Sequence, residues 1–499
     1  VSYERSNRTL LLTSVLTLIF IIKIMSYLIN NTVYSVDSWP LIRLSEHIAK
    51  DPTMKILDLQ TYHAKYPVST IFSVIFSETV GVDLYNFYAY IGVLILSLAL
   101  TSLVYVLISQ ILEGHKRSLV LLSLVIYTPF VIYTSAYLKE VYSYPLALTL
   151  LLLYVKYIGK ILWPVYLLLI IVLIMTHPLS SLMTAIFLAT YVYINLVRWT
   201  KTGQRFSENN IEIIALSLML TSFYMIYNLL VKGMPIIFTL QDLMILMIYG
   251  VSIYGMLFIT YSSRKSLLIS APVLTLIGVV AYLGMTKDLP LQTSVLSHVV
   301  SLILLTALVI NPLSRESVLS ASVLAPLAVS TLYVLTYAPW LSSITHRFLN
   351  YLVIPIVLGS IYMFMRRPRL TMIILMILLI ISVATLYNTF TGKDPLIFYW
   401  RYVDKDLAST YFIKNCVVNN VLGSVKYSYL MGENIVSSDY TSLSHVLERC
   451  VSSDKSFIIN SEEIIYGVPL SPLNYFRISK NLFTCNDLLY NNLYNYIFK

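Results

Sequence analysis

Four ionisable side chains stand where apolar segments of this chain end, and their types suit proton transfer and phosphate binding. Asp37 lies in "YSVDSWPLIRLSEHIAK" (34–50), Glu140 in "AYLKEVYSYP", His177 in "MTHPLSS", and Arg347, preceded by His346, in "YAPWLSSITHRFLNYLVIP". A carboxylate beside hydrocarbon is costly unless it is paired, protonated or water-facing. Asp37 therefore has two readings, a cap for a helix over 38–50 or a general base or metal ligand. Glu140, next to Lys139, is either a solvated loop residue or a second acid aimed into the same space. Arg347 either snorkels to headgroups or offers its planar fork of donors to a lipid phosphate, with His346 beside it. His177 reads as a satisfied structural histidine or a substrate contact. Trp39 fits headgroup depth, where it could also meet substrate. Lys23 is expected to snorkel outward, and Arg43 and Glu46 to pair along one helix face.

The elements that must carry these residues follow from composition. The chain has 499 residues, 58% hydrophobic and 12% charged, with mean hydropathy +0.77. A soluble domain carries about 25% charged residues, so lipid has to be part of the solvent. Net charge +10 does not point to nucleic acid, because the basic residues form short clusters between apolar runs. Apolar length and breaks give thirteen spans, about 9–29, 85–112, 118–135, 141–158, 162–176, 178–197, 210–230, 241–261, 267–285, 293–310, 318–337, 349–365 and 370–388. With a cytoplasmic N-terminus, the inner segments hold 15 Lys and Arg against four in the later outer loops (Lys139, Lys232, Lys287, Arg347), which is the asymmetry that orients spans. The expected fold class is an all-α polytopic membrane protein with a small C-terminal extracytoplasmic α/β domain, in the plasma membrane. Residues 1–388 form the membrane domain, with interfacial helices in a first outer loop (30–84), and 389–499 the outer domain. No cleavable signal is apparent. In the tail, "TSLSHVLERC" and "CNDLLYNNLYNYIF" read as helices, and "SVKYSYL" and "KSFIIN" as strands. Cys416, Cys450 and Cys485 all lie there, either pairing once or buried as small hydrophobes.

At these residues the chain resembles the GT-C class of membrane glycosyltransferases, which includes protein mannosyltransferases, aminoarabinose transferases and oligosaccharyltransferases. "VDSWPLIRLSEHI" is similar to the oligosaccharyltransferase pattern of Asp, an aromatic, then Arg and Glu. "YPVSTIFSVIFSETVGVDLYNFYAYIGVL" resembles the Pro-led interfacial helix before the second span, and "HRFLNYLVIPIVLG" the Arg-Phe-x-x-Tyr-x-x-Pro stretch of archaeal members. The likeness covers the first ~150 residues best, then 346–358. It departs where the Trp-Trp-Asp-Tyr-Gly motif is absent and the "TKDLPLQ" loop is short. The "LKE" loop has only Glu140 and lacks Asp-x-Asp.

The resemblance implies transfer of a sugar from a polyprenyl-phosphate donor to a protein or glycan acceptor on the outer face, against membrane lipid. It implies Asp37 as base or ligand to a divalent metal (Mg or Mn), and Glu140 as a second catalytic residue. Arg347 and His346 would hold the donor phosphate, and Trp39 and His177 the substrate. The alternatives are an oligosaccharyltransferase-like protein N-glycosylation enzyme and a non-catalytic envelope scaffold. A transporter would need charges or broken helices at the midplane, and the spans offer few charges there.

Overall fold

The computed structural model describes residues 2–59, 61–109, 111–156, 163–202, 208–232, 239–263, 315–337, 347 and 350–393. In the C-terminal part it describes 401–416, 421–432, 435–438, 456–466, 468–471, 474–476, 488–491 and 495–498. The expected spans 267–285 and 293–310, the helix at 441–450, His346, Cys450 and Cys485 lie outside the described residues.

Helices dominate, because backbone groups in hydrocarbon must be satisfied within their own segment. α1 (Ser2–Lys23) continues into α2 (Met25–Asn30). α3 (Ser38–Lys50) and α4 (Val68–Val80) form the first loop. α5 (Leu84–Ser109) follows, with a π turn over Phe87–Ile91. Among the described residues, five helices are long and apolar enough to cross a membrane: Leu84–Ser109, Pro178–Thr200, Ile214–Val231, Leu240–Thr260 and Pro368–Phe390. The chain is thus a largely helical membrane protein.

The expected span 118–135 is not one helix. It is built from α6 (His115–Val120), α7 (Ser123–Ile126) and α8 (Thr128–Thr134), with a bend of 79° between Lys116–Ile126 and Thr128–Thr134. Pro129 causes the break, since it has no N–H and its ring clashes with the carbonyl four residues back. That carbonyl, on Val125, is taken by the Ser382 hydroxyl at 2.6 Å, so a buried acceptor is not left unpaired.

Next come α9 (Lys139–Lys156), α10 (Trp163–Thr176), α11 (Pro178–Thr202), α12 (Glu208–Val231), α13 (Leu240–Ser263), α14 (Arg315–Thr336), α15 (Val353–Arg366) and α16 (Pro368–Phe390). Small polar side chains stitch these helices. Thr190 meets the Tyr254 hydroxyl at 2.7 Å, and Tyr193 donates to the Tyr254 carbonyl at 3.0 Å, contacts worth about 0.6 kcal/mol each in lipid. Lys23 does not snorkel. It is 1% exposed, donates to Thr134 Oγ1 and lies over the Phe130 ring, because the bent α8 packs at its level.

After α16 the chain alternates helix and strand: α17 (Asp404–Cys416), β1 (Val421–Leu422), α18 (Val425–Met431), β2 (Val436–Ser437), β3 (Ser456–Asn460), α19 (Ser461–Tyr466), β4 (Val468–Ser471), β5 (Asn474–Phe476), β6 (Leu488–Asn491) and β7 (Asn495–Phe498). One sheet has the order β2-β1-β3-β7-β6, parallel among β2, β1 and β3 and antiparallel beyond. β4 and β5 form a separate hairpin.

The strand expected at 455–460 is present as β3. The strand expected at 424–430 is the helix α18, whose Tyr427 hydroxyl reaches Asp406 and Asn495; this inward packing outweighs the β-propensity of its aromatics. Within the helix expected over 485–498, the described residues 488–491 and 495–498 form β6 and β7, since Tyr, Ile and Phe suit strands. Cys416 is exposed with a free thiol, so it is not the buried small hydrophobe considered above.

This region seats on the ends of the membrane helices. Asn30 donates to the Phe390 carbonyl at 3.0 Å and Thr32 to the Tyr402 carbonyl at 2.6 Å. Arg43, expected to pair with Glu46 along its own helix, reaches the carbonyls of Tyr429 and Leu430. These close the last turn of α18, where unsatisfied carbonyls carry the negative end of the helix dipole. Replacing Arg43 by Ala is expected to loosen α18, raising amide exchange across 425–431 while exchange in α5 and α16 is unchanged. Equal protection of 425–431 in both proteins would contradict this docking role.

Candidate functional site

The turn before α3 sets the first acid. Ser35 adopts φ +81°, a conformation costing a non-glycine residue about 1–3 kcal/mol, of the kind found at functional sites. The turn is tied by the Ser38 hydroxyl on the Tyr34 carbonyl at 3.0 Å and by the Asp37 amide on Ser35 Oγ at 3.3 Å. Asp37 occupies the N-cap position of α3, yet its carboxylate makes no capping hydrogen bond. It faces Arg347 instead, with Nη2 at 3.3 Å from Oδ2. The cap reading fails on this geometry.

Glu140 opens α9 one residue after Lys139. Gly92 helps place this corner: a Cβ there would collide with the Tyr137 ring, and the Tyr137 hydroxyl donates to the Ser69 carbonyl at 2.9 Å. Glu140 is 1% exposed, and both its oxygens are occupied. Tyr133, delivered by the bent α8, donates to Oε2 at 2.7 Å, and Tyr144 to Oε1 at 2.9 Å. Arg347 Nε lies 3.7 Å from Oε2, and His177 Nε2 3.9 Å from it. The Ser180 amide donates to His177 Nδ1 at 3.3 Å, which leaves the ring proton on Nε2, directed at Glu140. His177 is therefore a fixed wall of the acid's pocket.

Asp37, Glu140 and Arg347 share a cavity of about 110 Å³ with Lys139, Tyr62, His63 and Tyr429. At about 30 Å³ per molecule of liquid water, that is room for roughly three waters. Its walls come from the turns at one end of the bundle and from α18. Tyr62 and His63 line it from the stretch 61–66, which is held to α12 by Tyr66 on Asn228 Oδ1 at 2.5 Å and Tyr227 on the Lys65 carbonyl at 2.6 Å. Behind Tyr144 and Tyr351 a second cavity, about 40 Å³, is apolar, walled by Val104, Leu148, Phe187 and Val357.

Two cations here keep hydrogen bonds unmade. Lys139 Nζ and Arg347 Nε are buried and find no hydrogen-bond partner among the described residues. Burial, then Lys139 and Arg347, hold the His63 imidazole well below its ordinary 6.5.

A depressed histidine value stabilises the fold above the unfolded value, because the unfolded chain binds the proton the native one refuses. Stability is expected to fall as pH drops below about 6.5, continuing through the folded value. His63→Gln flattens that slope in thermal unfolding from pH 7 to 5, whereas an unchanged slope would remove His63 as its source.

The donor set does not suit a divalent ion as arranged. The guanidinium already lies against both carboxylates, and among the described residues no group of three His, Cys, Asp or Glu is placed to hold a metal. Trp39, expected at substrate, does not line the cavity. It packs between Tyr85 and Tyr402, with ring centroids 6.2 and 5.6 Å away.

Sequence reasoning missed Tyr62, His63, Tyr133, Tyr144 and Tyr429. Only Tyr144 carried a local signal, four residues after Glu140 on the same helix face; 41 tyrosines hide the others. No protein-family model matches this sequence, and no curated protein matches it.

Proposed function

We propose that this protein is a membrane glycosyltransferase that moves a sugar from a polyprenyl-phosphate donor to an acceptor at the extracytoplasmic face. The observation that carries the reading is the meeting of Asp37, Arg347 and Glu140 in one cavity at the end of an apolar bundle. Buried charges with unmade hydrogen bonds are expensive in such a bundle, and a scaffold gains nothing from keeping them. That cost favours a binding or catalytic site over the envelope-scaffold alternative.

The geometry suggests distinct roles for the two acids. Glu140, with every oxygen engaged, positions Arg347 and does not touch substrate. Asp37 is 24% exposed and is the base. It accepts the proton of the acceptor hydroxyl as that oxygen attacks the anomeric carbon. The bond from that carbon to the phosphate oxygen breaks, the ring passes through oxocarbenium character, and the phosphate leaves with the electron pair. Arg347 stabilises the growing charge through donors that the carboxylates leave unused. No step passes through a metal. The apolar cavity beyond Tyr144 gives the hydrocarbon end of the donor a compatible neighbour.

On this reading we place the N-terminus in the cytoplasm and residues 389–499 on the extracytoplasmic side, with the cavity opening outward in the plasma membrane. An oligosaccharyltransferase-like activity stays secondary, since the chain lacks the tail motif and long loop of that group. The test is transfer from radiolabelled polyprenyl-phosphate sugars by the purified protein in vesicles, beside the Asp37→Asn variant. Transfer lost in the variant supports the enzyme, and equal turnover removes it.

A further inference from the structure

The mechanism above leaves one buried cation of the cavity without a task. Lys139 is 5% exposed, lines the cavity, and has no hydrogen-bond partner for Nζ among the described residues. Its neighbours are aromatic faces, Tyr62 at 3.9 Å and Tyr66 at 5.3 Å from the ring centres. Such faces attract a cation but accept none of its three N–H bonds in the way an oxygen does. The other cation, Arg347, is flanked by two carboxylates.

We infer that Lys139 is the principal ligand of a phosphate group in this cavity, under a cover formed by Tyr62 and Tyr66, with Arg347 as the secondary contact. This rests on the donor reading above and reverses the emphasis that the sequence placed on Arg347. The shared chemistry is a phosphate monoester or diester, whether the head of a lipid or a free ion.

The purified full chain in lipid nanodiscs is titrated with farnesyl phosphate, inorganic phosphate and farnesol. Wild type is expected to bind farnesyl phosphate. Inorganic phosphate binding equally well identifies a free ion as the source, and weaker binding identifies a lipid head. Lys139→Met weakens the phosphate ligands about tenfold or more, while Lys139→Arg keeps most of the affinity. Unaltered affinity in Lys139→Met, or farnesol bound as tightly as farnesyl phosphate, overturns the assignment. Should Lys139→Met not fold, wild type alone decides: farnesyl phosphate protects Lys139 from reductive methylation, read by mass spectrometry, and absence of protection overturns it. Binding without any sugar transfer would remove the proposed function and keep Lys139. Transfer by Lys139→Met with an unchanged donor KM would do the reverse.

Discussion

On the proposed function, replacing Asp37 by Asn is expected to lower sugar transfer by about 10²–10⁴-fold, the range for losing a positioned general base. Asn keeps the shape of the side chain and still accepts from Arg347 Nη2, now 3.3 Å from the carboxylate, so the cavity survives. On that reading the change removes the group proposed to take the acceptor's proton. Donor affinity is expected to stay within about threefold, because the proposed phosphate ligands, Lys139 and Arg347, are untouched. The fall therefore lies in kcat, the signature of an interaction made only in the transition state. A loss confined to donor KM would recast Asp37 as a binding residue.

The second large effect is on folding. Arg347→Met removes the cation between the two acids and leaves Glu140, 1% exposed, as a buried carboxylate with only tyrosine hydroxyls and His177 about it. Breaking one half of a buried pair costs about 3–5 kcal/mol. The lower end applies here, because Arg347 and Asp37 are 26% and 24% exposed and water screens their part of the contact. The thermal midpoint of Arg347→Met is expected to fall clearly, and transfer to be lost. Arg347→Met with Glu140→Gln removes both charges and recovers most of the midpoint without recovering transfer, a coupling that a double-mutant cycle measures. Additive destabilisation in that pair would contradict the ion-pair account.

Much of this arrangement was legible in the amino-acid pattern, for identifiable reasons. Asp37, Glu140 and Arg347 stood out because charge is scarce in a chain of 12% charged residues, and hydropathy fixes where apolar helices surface. Helix α3 was readable from its amphipathic spacing, and β3 from its continuous apolar run. What hydropathy cannot encode is a bend inside a largely apolar stretch: residues 118–135 carry no charge, and only Pro129 hinted that α8 would turn and bring Tyr133 to Glu140. Nor does it encode long-range partners. Arg43 sits 386 positions from Tyr429, and the carbonyl it meets has no sequence signature. The tail misled for a third reason: short segments rich in Tyr and Asn take strand or helix according to what they pack against, as 425–431, 488–491 and 495–498 do.

The cavity's occupant tests the account most directly. A cryo-electron-microscopy map of the protein in nanodiscs with a long-chain polyprenyl phosphate is expected to place the phosphate density within hydrogen-bond distance of Lys139 and Arg347, beside Asp37, with its chain running toward the bilayer. A map in which the head lies at another surface, while Asp37, Glu140 and Arg347 keep an unfilled cavity at saturating lipid, would contradict it.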